Sequence, residues 1–380
     1  MTPAPPSAVL PLTLLYAALI VYASLFPFSG WHDQGIAPWA YLQAPWPQYW
    51  TRFDLLTNFA GYAPFGFLLT LTLARLLRIG MAMLLAVLLA LLLSFSMECL
   101  QSYLPLRVAS NVDFAFNVSG ALAGALVAGL ALRYGHVERW QRWRVRWFAP
   151  HSRGALVLLA LWPVGLLSPT MVAYGMGRVL ERVEDGVAAL LEGTAFFDLM
   201  PLREFELEPL LHSTETLAVA LGALVPCLLG FVVIRQRRRR LVFAALALAG
   251  GVAVLSLSAA LAWGPAHAWA WTTPPVLWGV AAAACAAPVL AWLALPARMD
   301  MALLIAALVV QLVIVNGAAE SVYFATARQS WEQGRFIHFF GLTEWIGGLW
   351  PFVALGYMLL RLFAPPTRAA PSAPLKSTHE

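Results

Sequence analysis

Between residues 94 and 120 the chain reads SFSMECLQSYLPLRVASNVDFAFNVSG, which sets strongly polar side chains where two apolar segments meet. Ser94, Glu98 and Gln101 close the first segment, Arg107 sits in the turn, and Ser110, Asp113 and Asn117 open the second. Two carboxylates and a guanidinium in so short a stretch could trade protons or grip an ionic headgroup. An ionisable group at the centre of a membrane helix costs about 2.5–3.5 kcal/mol, so it is usually paired or functional. Any chemistry this chain performs is expected around this turn.

The elements that must position the turn follow from composition. With 61% hydrophobic and 11% charged residues over 380 positions, the chain lies far from soluble proteins, which carry roughly 25% charge. Apolar runs recur that are long enough to cross a bilayer core of about 30 Å. Ten spans are expected, near 9–28, 53–74, 81–103, 112–132, 155–175, 214–234, 241–263, 275–295, 301–325 and 343–363. The fold class is therefore all-α, a polytopic bundle. Arg75 and Arg78, the arginines of 133–153, Arg235 to Arg240, and the tail with Arg361, Arg368 and Lys376 share one face if both termini are cytoplasmic. That is the positive-inside pattern, and it assigns the net charge of +5 to the membrane and not to nucleic acid. The start of the chain lacks a basic n-region, so 9–28 reads as a retained span. Cys99, Cys227 and Cys285 all fall inside apolar segments, giving neither a disulfide framework nor a metal site. No cofactor is called for.

Several connecting stretches belong at the membrane surface. In 134–153, Trp140, Trp143 and Trp147 keep helical spacing among Arg139, Arg142, Arg144 and Arg146, which suits an interfacial cytoplasmic helix. In 176–192, Val179, Val183, Val187 and Leu191 recur every fourth residue beside Glu181, Glu184, Asp185 and Glu192, an amphipathic stretch on the opposite face. The 29–52 loop carries Trp31, Trp39, Trp46 and Trp50 with three prolines. Its tryptophans can anchor at headgroup level or wall an amphiphile cleft.

Asp54, Asn58 and Gly61 lie at i, i+4 and i+7 on one face of the second span, and Asp113, Asn117 and Gly120 repeat that spacing in the fourth. Both faces and the Ser94–Glu98–Gln101 face should reach one depth, just below the outer surface. Asp54 and Asp113 begin helices and can be caps as readily as ligands. Ser110-x-x-Asp113 resembles a capping box with Asp in place of Glu. Glu98 stands near the C-terminal end of its helix, where the dipole repels it. It needs a partner, and Arg107 is the nearest basic candidate. A weaker echo follows in the second half: His212, Thr214 and Glu215 open the sixth span, Glu320 ends the ninth, Arg328 and Arg335 follow, and Glu344 opens the tenth.

Two strings, Asp54-x-x-x-Asn58-Phe59-x-x-Tyr62-x-Pro64-Phe65-Gly66 and Glu98-x-x-Gln101-x-x-x-Pro105-x-Arg107-x-x-Ser110-x-x-Asp113-x-x-x-Asn117-x-x-Gly120, resemble the signatures of VanZ-like membrane proteins. Many members carry Lys and His near the positions held here by Leu55 and Asn58, so no histidine role transfers. The resemblance covers residues 10–133 as a four-helix membrane domain. The segment 134–153, a further six-helix region over 154–363 and a disordered cytoplasmic tail over 364–380 lie outside it. Founding members are associated with resistance to teicoplanin, a lipid-tailed glycopeptide antibiotic. The resemblance thus implies a multi-pass protein of the bacterial cytoplasmic membrane whose partner is a membrane lipid or lipid-linked envelope molecule.

Three functions stay open. The outer turn could bind a lipid-tailed molecule, with Asp54, Asn58, Glu98, Gln101, Arg107, Ser110, Asp113 and Asn117 as ligands and His212, Glu215, Glu320, Arg335 and Glu344 as secondary candidates. The chain could flip or transport such a lipid, for which Gln311, Asn316, Pro163 and Pro226 inside spans are the support. It could also be an enzyme on a lipid-linked substrate with Glu98 and Asp113 as acid–base groups, although no activated nucleophile or nucleotide-binding loop is present. Reporter fusions after residues 40, 78, 143, 195, 238 and 335 test the topology. The expected cytoplasmic reporters are those after 78, 143 and 238, and cytoplasmic activity after residue 195 would overturn it.

Overall fold

In lipid every backbone N–H and C=O needs a protein partner, which leaves helices as the means of crossing open to a chain of this patterning. The computed structural model describes residues 9–26, 28–46, 52–105, 107–149, 152–170, 172–194, 196, 208–319, 322–333 and 337–363. Among these residues there is no strand. The helices are α1 (Val9–Leu25), α2 (Arg52–Leu73), α3 (Ile79–Gln101), α4 (Asn111–Arg133), α5 (His136–Trp147), α6 (Arg153–Leu167) and α7 (Leu180–Leu191), followed by α8 (His212–Val233), α9 (Arg237–Trp263), α10 (Pro274–Leu293), α11 (Ala297–Asn316), α12 (Val322–Gln333) and α13 (Ile337–Phe363). Among the described residues, eight helices are long and apolar enough to cross a membrane. Two of the ten expected spans are shorter, α1 with 17 residues and α6 with 15.

The chain divides into two compact units, residues 1–153 with 329–344 and residues 154–328 with 345–380. In the first, α3 sorts its side chains by size. Ala82, Ala86, Ala90 and Ser94 are fully buried, whereas Leu84, Leu88 and Leu92 are exposed. Small residues inward and large ones outward is the arrangement that suits lipid, because close backbone approach drives helix association there. Helices α2 and α4 carry this furthest and run parallel. Gly120 lies against the carbonyl of Phe59 and Gly124 against that of Ala63, each too close for a Cβ. Helix α1 runs antiparallel to α2, with Thr13 Oγ1 2.9 Å from Thr72 Oγ1 and Tyr16 Oη donating to Gly61 O at 3.0 Å. Helix α5 follows α4 and buries none of its residues. Its tryptophans follow one another along the helix, Trp140 stacked on Trp143 at 4.9 Å and Trp143 tilted against Trp147 at 5.2 Å.

In the second unit α8 is the most enclosed span, flanked by α9, α10 and α11. Two expected spans end early here. The fifth stops at Leu167, and the described residues of 168–179 continue without a helix although Val172 to Met176 are buried. Ser168-Pro169 ends α6, since proline has no amide hydrogen and disfavours helical geometry in the residue before it. The exposed amides and carbonyls are taken up by side chains. Ser258 Oγ donates to Leu167 O at 2.7 Å, Gln311 Nε2 to Tyr174 O at 2.6 Å and Asn316 Nδ2 to Gly177 O at 3.0 Å. Asn316 Oδ1 also accepts from Val179 N and Leu180 N at 3.3 Å, capping α7 from another helix. The ninth expected span likewise ends at Asn316, and α12 is a separate helix.

The Gly124 contact sets a test. Gly124→Val puts a branched side chain against the Ala63 carbonyl and should cost at least ~1–3 kcal/mol of stability. Leu122→Ala on the exposed face should leave the melting temperature of the detergent-solubilised protein nearly unchanged. Equal melting of both variants would refute the parallel packing.

Candidate functional site

The turn after α3 works on the ends of two other helices. An α-helix leaves its last carbonyls and first amides without intrahelical partners. At the C-terminal end of α1, Arg107 Nη2 donates to Ala23 O at 3.0 Å and Phe26 O at 2.8 Å, and its Nε to Phe26 O at 3.3 Å. Gln101 Nε2 adds a bond to Ser24 O at 3.0 Å. A cation at this end also meets the negative pole of the helix dipole. Burial lowers the Arg107 guanidinium from its ordinary value, and the Glu98 carboxylate opposes that shift.

Glu98 is 3% exposed, and its Oε2 accepts from Ser110 N at 2.9 Å. Ser110 is the N-cap of α4, its hydroxyl accepting from Val112 N at 3.2 Å and Asp113 N at 3.3 Å. In a capping box the acid three residues into the helix reaches back to the N-cap amide. Here the acid comes from α3. The carboxylate that the dipole of its own helix repels is held at the positive end of α4. Arg107 and Asp113 both lie within electrostatic reach of Glu98. One turn further in, Asn117 Nδ2 donates to Ser94 Oγ at 3.0 Å.

Two tyrosines complete the cluster, and nothing in the polar spacing pointed to them. Tyr41, in a 3-10 turn at Ala40–Gln43, is buried between Phe95 and Phe114, with ring centroids 6.5 and 6.3 Å away. Its hydroxyl is pushed above its ordinary value by burial first, then by Cys99 and Glu98. Tyr62, on α2, lies beside Ser94 and in reach of Glu98. Among the described residues, Tyr41 Oη, Tyr62 Oη and Asn117 Oδ1 are buried without a hydrogen-bond partner, and Glu98 Oε1 takes no hydrogen bond. Tyr62 stands in the first motif string without a role assigned to it, whereas Tyr41 could have been found only through the fold, since aromatic residues are ordinary in such segments.

The remaining candidates separate from this group. Asn58 is half-buried on α2, and the side chain of Asp54 lies outside the described residues. His212 is exposed at the start of α8. Glu215 Oε1 is 3.5 Å from Thr273 Oγ1, and Glu344 is half-buried in α13. Glu320 and Arg335 lie outside the described residues. One further pair stands out in the second unit. Arg240 Nη2 meets Asp300 Oδ2 at 2.8 Å with both side chains buried, and the same guanidinium bonds Ile234 O and Phe231 O at the end of α8. In the sequence Arg240 is hidden in a run of loop arginines.

Residues 12–132 match the family described as VanZ/LLP1. The match takes in α1 to α4 and every residue of the Glu98 cluster. No curated protein and no solved structure matches the chain. The N-terminal region is VanZ-like, in a multi-pass membrane protein whose C-terminal half has no family assignment.

Charge coupling at the turn is measurable. Glu98→Gln keeps an oxygen for Ser110 N and removes the charge, whereas Arg107→Gln removes bonds to two carbonyls of α1. Arg107→Gln should destabilise the protein by about 2–4 kcal/mol, and the pair should depart from additivity by roughly 0.5–3 kcal/mol. Thermal melts of the two single variants and the double variant give the cycle. Strict additivity would mean that the two charges do not interact.

Proposed function

We propose that this VanZ-like protein engages a lipid-tailed envelope molecule, a cell-wall lipid or a lipoglycopeptide such as teicoplanin, at the Glu98 cluster. On this reading it works from the bacterial cytoplasmic membrane, with the cluster at the outer surface. The observation that carries the proposal is a set of buried polar atoms without partners around one carboxylate. Such groups cost free energy unless something bonds to them, and in native proteins each calls for an explanation. A headgroup supplies one. The segment that covers the cluster supports a tail as well. Trp31, Trp39 and Trp46 are 43%, 58% and 67% exposed, while Tyr41 between them points inward. Asn111 Nδ2 fastens the segment to α4 through Ala44 O at 2.7 Å. The head would meet the Glu98 cluster and the tail the tryptophans. Arg107, already bonded to α1, would contribute its charge more than new hydrogen bonds.

A second reading, transport of such a lipid, is favoured by one observation. The described residues of 168–179 form a break between helices that is buried at 172–177, and irregular backbone at membrane depth is typical of transport sites. Tyr174 within it holds a left-handed φ of 64°, a conformation that costs of order 1–3 kcal/mol.

Mass spectrometry of lipids that copurify with the full chain separates these readings. Asn117→Leu and the double change Trp39→Ala/Trp46→Ala should deplete bound lipid and alter susceptibility of cells to lipid-tailed glycopeptides. Changes at Gln311 and Asn316 should leave bound lipid alone. Unchanged lipid and susceptibility in the first set would sink the binding proposal. Loss of lipid exchange between leaflets of proteoliposomes on changing Gln311 or Asn316 would favour transport.

A further inference from the structure

Resting on the amphiphile reading, we propose that the Glu98 cluster recognises a primary ammonium group, so that the preferred ligand carries an –NH3+ headgroup. The atoms without partners are mostly acceptors. Asn117 turns its amide hydrogens to Ser94 Oγ, which leaves Oδ1 buried and unbonded among the described residues. Glu98 uses Oε2 for Ser110 N, which leaves Oε1. The hydroxyl oxygens of Tyr41 and Tyr62 add two more acceptors. A primary ammonium has three N–H donors on one compact centre. Its donors match these acceptors in kind.

Charge points the same way. The buried Glu98 carboxyl, with Oε2 on Ser110 N, gives a cation a negative group to meet. The walls are aromatic, with Tyr41 against Phe95 and Phe114 and Tyr62 at 6.4 Å from Phe65, and ring faces attract cations. A metal ion would want a denser set of carboxylate, thiolate or imidazole groups. Among the described residues no group of three or more such side chains is placed to hold one. A trimethylammonium group has no N–H and would leave every acceptor unbonded. The site therefore discriminates by hydrogen bonds, which binding sites do far better than by bulk.

The test uses the full chain in an equimolar mixture of POPE, POPC and POPG, with bound lipid read by native mass spectrometry. POPE shares its acyl chains with POPC and differs in the headgroup amine. The parent should enrich POPE over POPC about tenfold, the effect of roughly one charge-assisted hydrogen bond. Glu98→Gln and Asn117→Leu should abolish the enrichment, and Tyr62→Phe should reduce it. Thermal melts establish which variants fold, and the comparison of POPE with POPC in the parent stands without any variant. Lipid retained without POPE enrichment, or enrichment of POPG, overturns the ammonium assignment and leaves the amphiphile reading standing. A parent that retains no lipid overturns both. Enrichment that survives Glu98→Gln and Asn117→Leu in folded protein overturns the assignment to this cluster.

Discussion

The constraint that organises the N-terminal unit is the open end of a helix. The carbonyls that finish α1 and the amides that begin α4 lack partners in their own helices. One short turn provides for both. Arg107 and Gln101 close the end of α1, and Glu98 and Ser110 close the beginning of α4. This resolves why a carboxylate stands at the unfavourable end of α3: it serves the favourable end of its neighbour. The polar residues of this turn are thus first of all the means by which α1, α3 and α4 close their termini. The atoms left over from that arrangement, Glu98 Oε1, Asn117 Oδ1 and the two phenols, are what a ligand could use.

The second unit meets the same requirement with different residues. Arg240 finishes α8 through Phe231 O and Ile234 O and pairs with Asp300 in the first turn of α11. Asn316 caps α7. A buried ion pair of this kind gives little net stability, since desolvation offsets attraction, but removing one partner is costly. Its value lies in fixing which helix ends meet. The break at 168–179 depends on the same logic, with Gln311 and Asn316 standing in for the hydrogen bonds that a continuous helix would have made.

Much of this was legible in the sequence, for a physical reason. Ionisable side chains in apolar surroundings are rare, so Ser94, Glu98, Arg107, Ser110, Asp113 and Asn117 marked their own importance, and the repeated i, i+4, i+7 spacing placed them at one level. The expected partnership of Glu98 with Arg107 was incomplete, because a backbone amide gives no sign of itself in a sequence. Tyr41 was hidden by company, an aromatic residue among aromatic residues, and Tyr62 appeared in the first motif string without a role. The early end of α6 was hidden by hydrophobicity, since residues 168–179 are nearly as apolar as a span. Only Ser168-Pro169, Gly175 and Gly177 hinted at the break.

The reach of Arg107 and Gln101 bears on how the protein is made. Helix α1 precedes the turn in synthesis, yet the groups that close its end lie 77 residues later in Gln101 and up to 84 later in Arg107. Until α2, α3 and the turn have been synthesised, those carbonyls depend on water or on the insertion machinery. The end of α1 is thus completed only once α3 and the turn have been made. Membrane entry of this region is a matter of sequence in time as much as of hydropathy, and the turn at Arg107 is the step at which the four helices become one object.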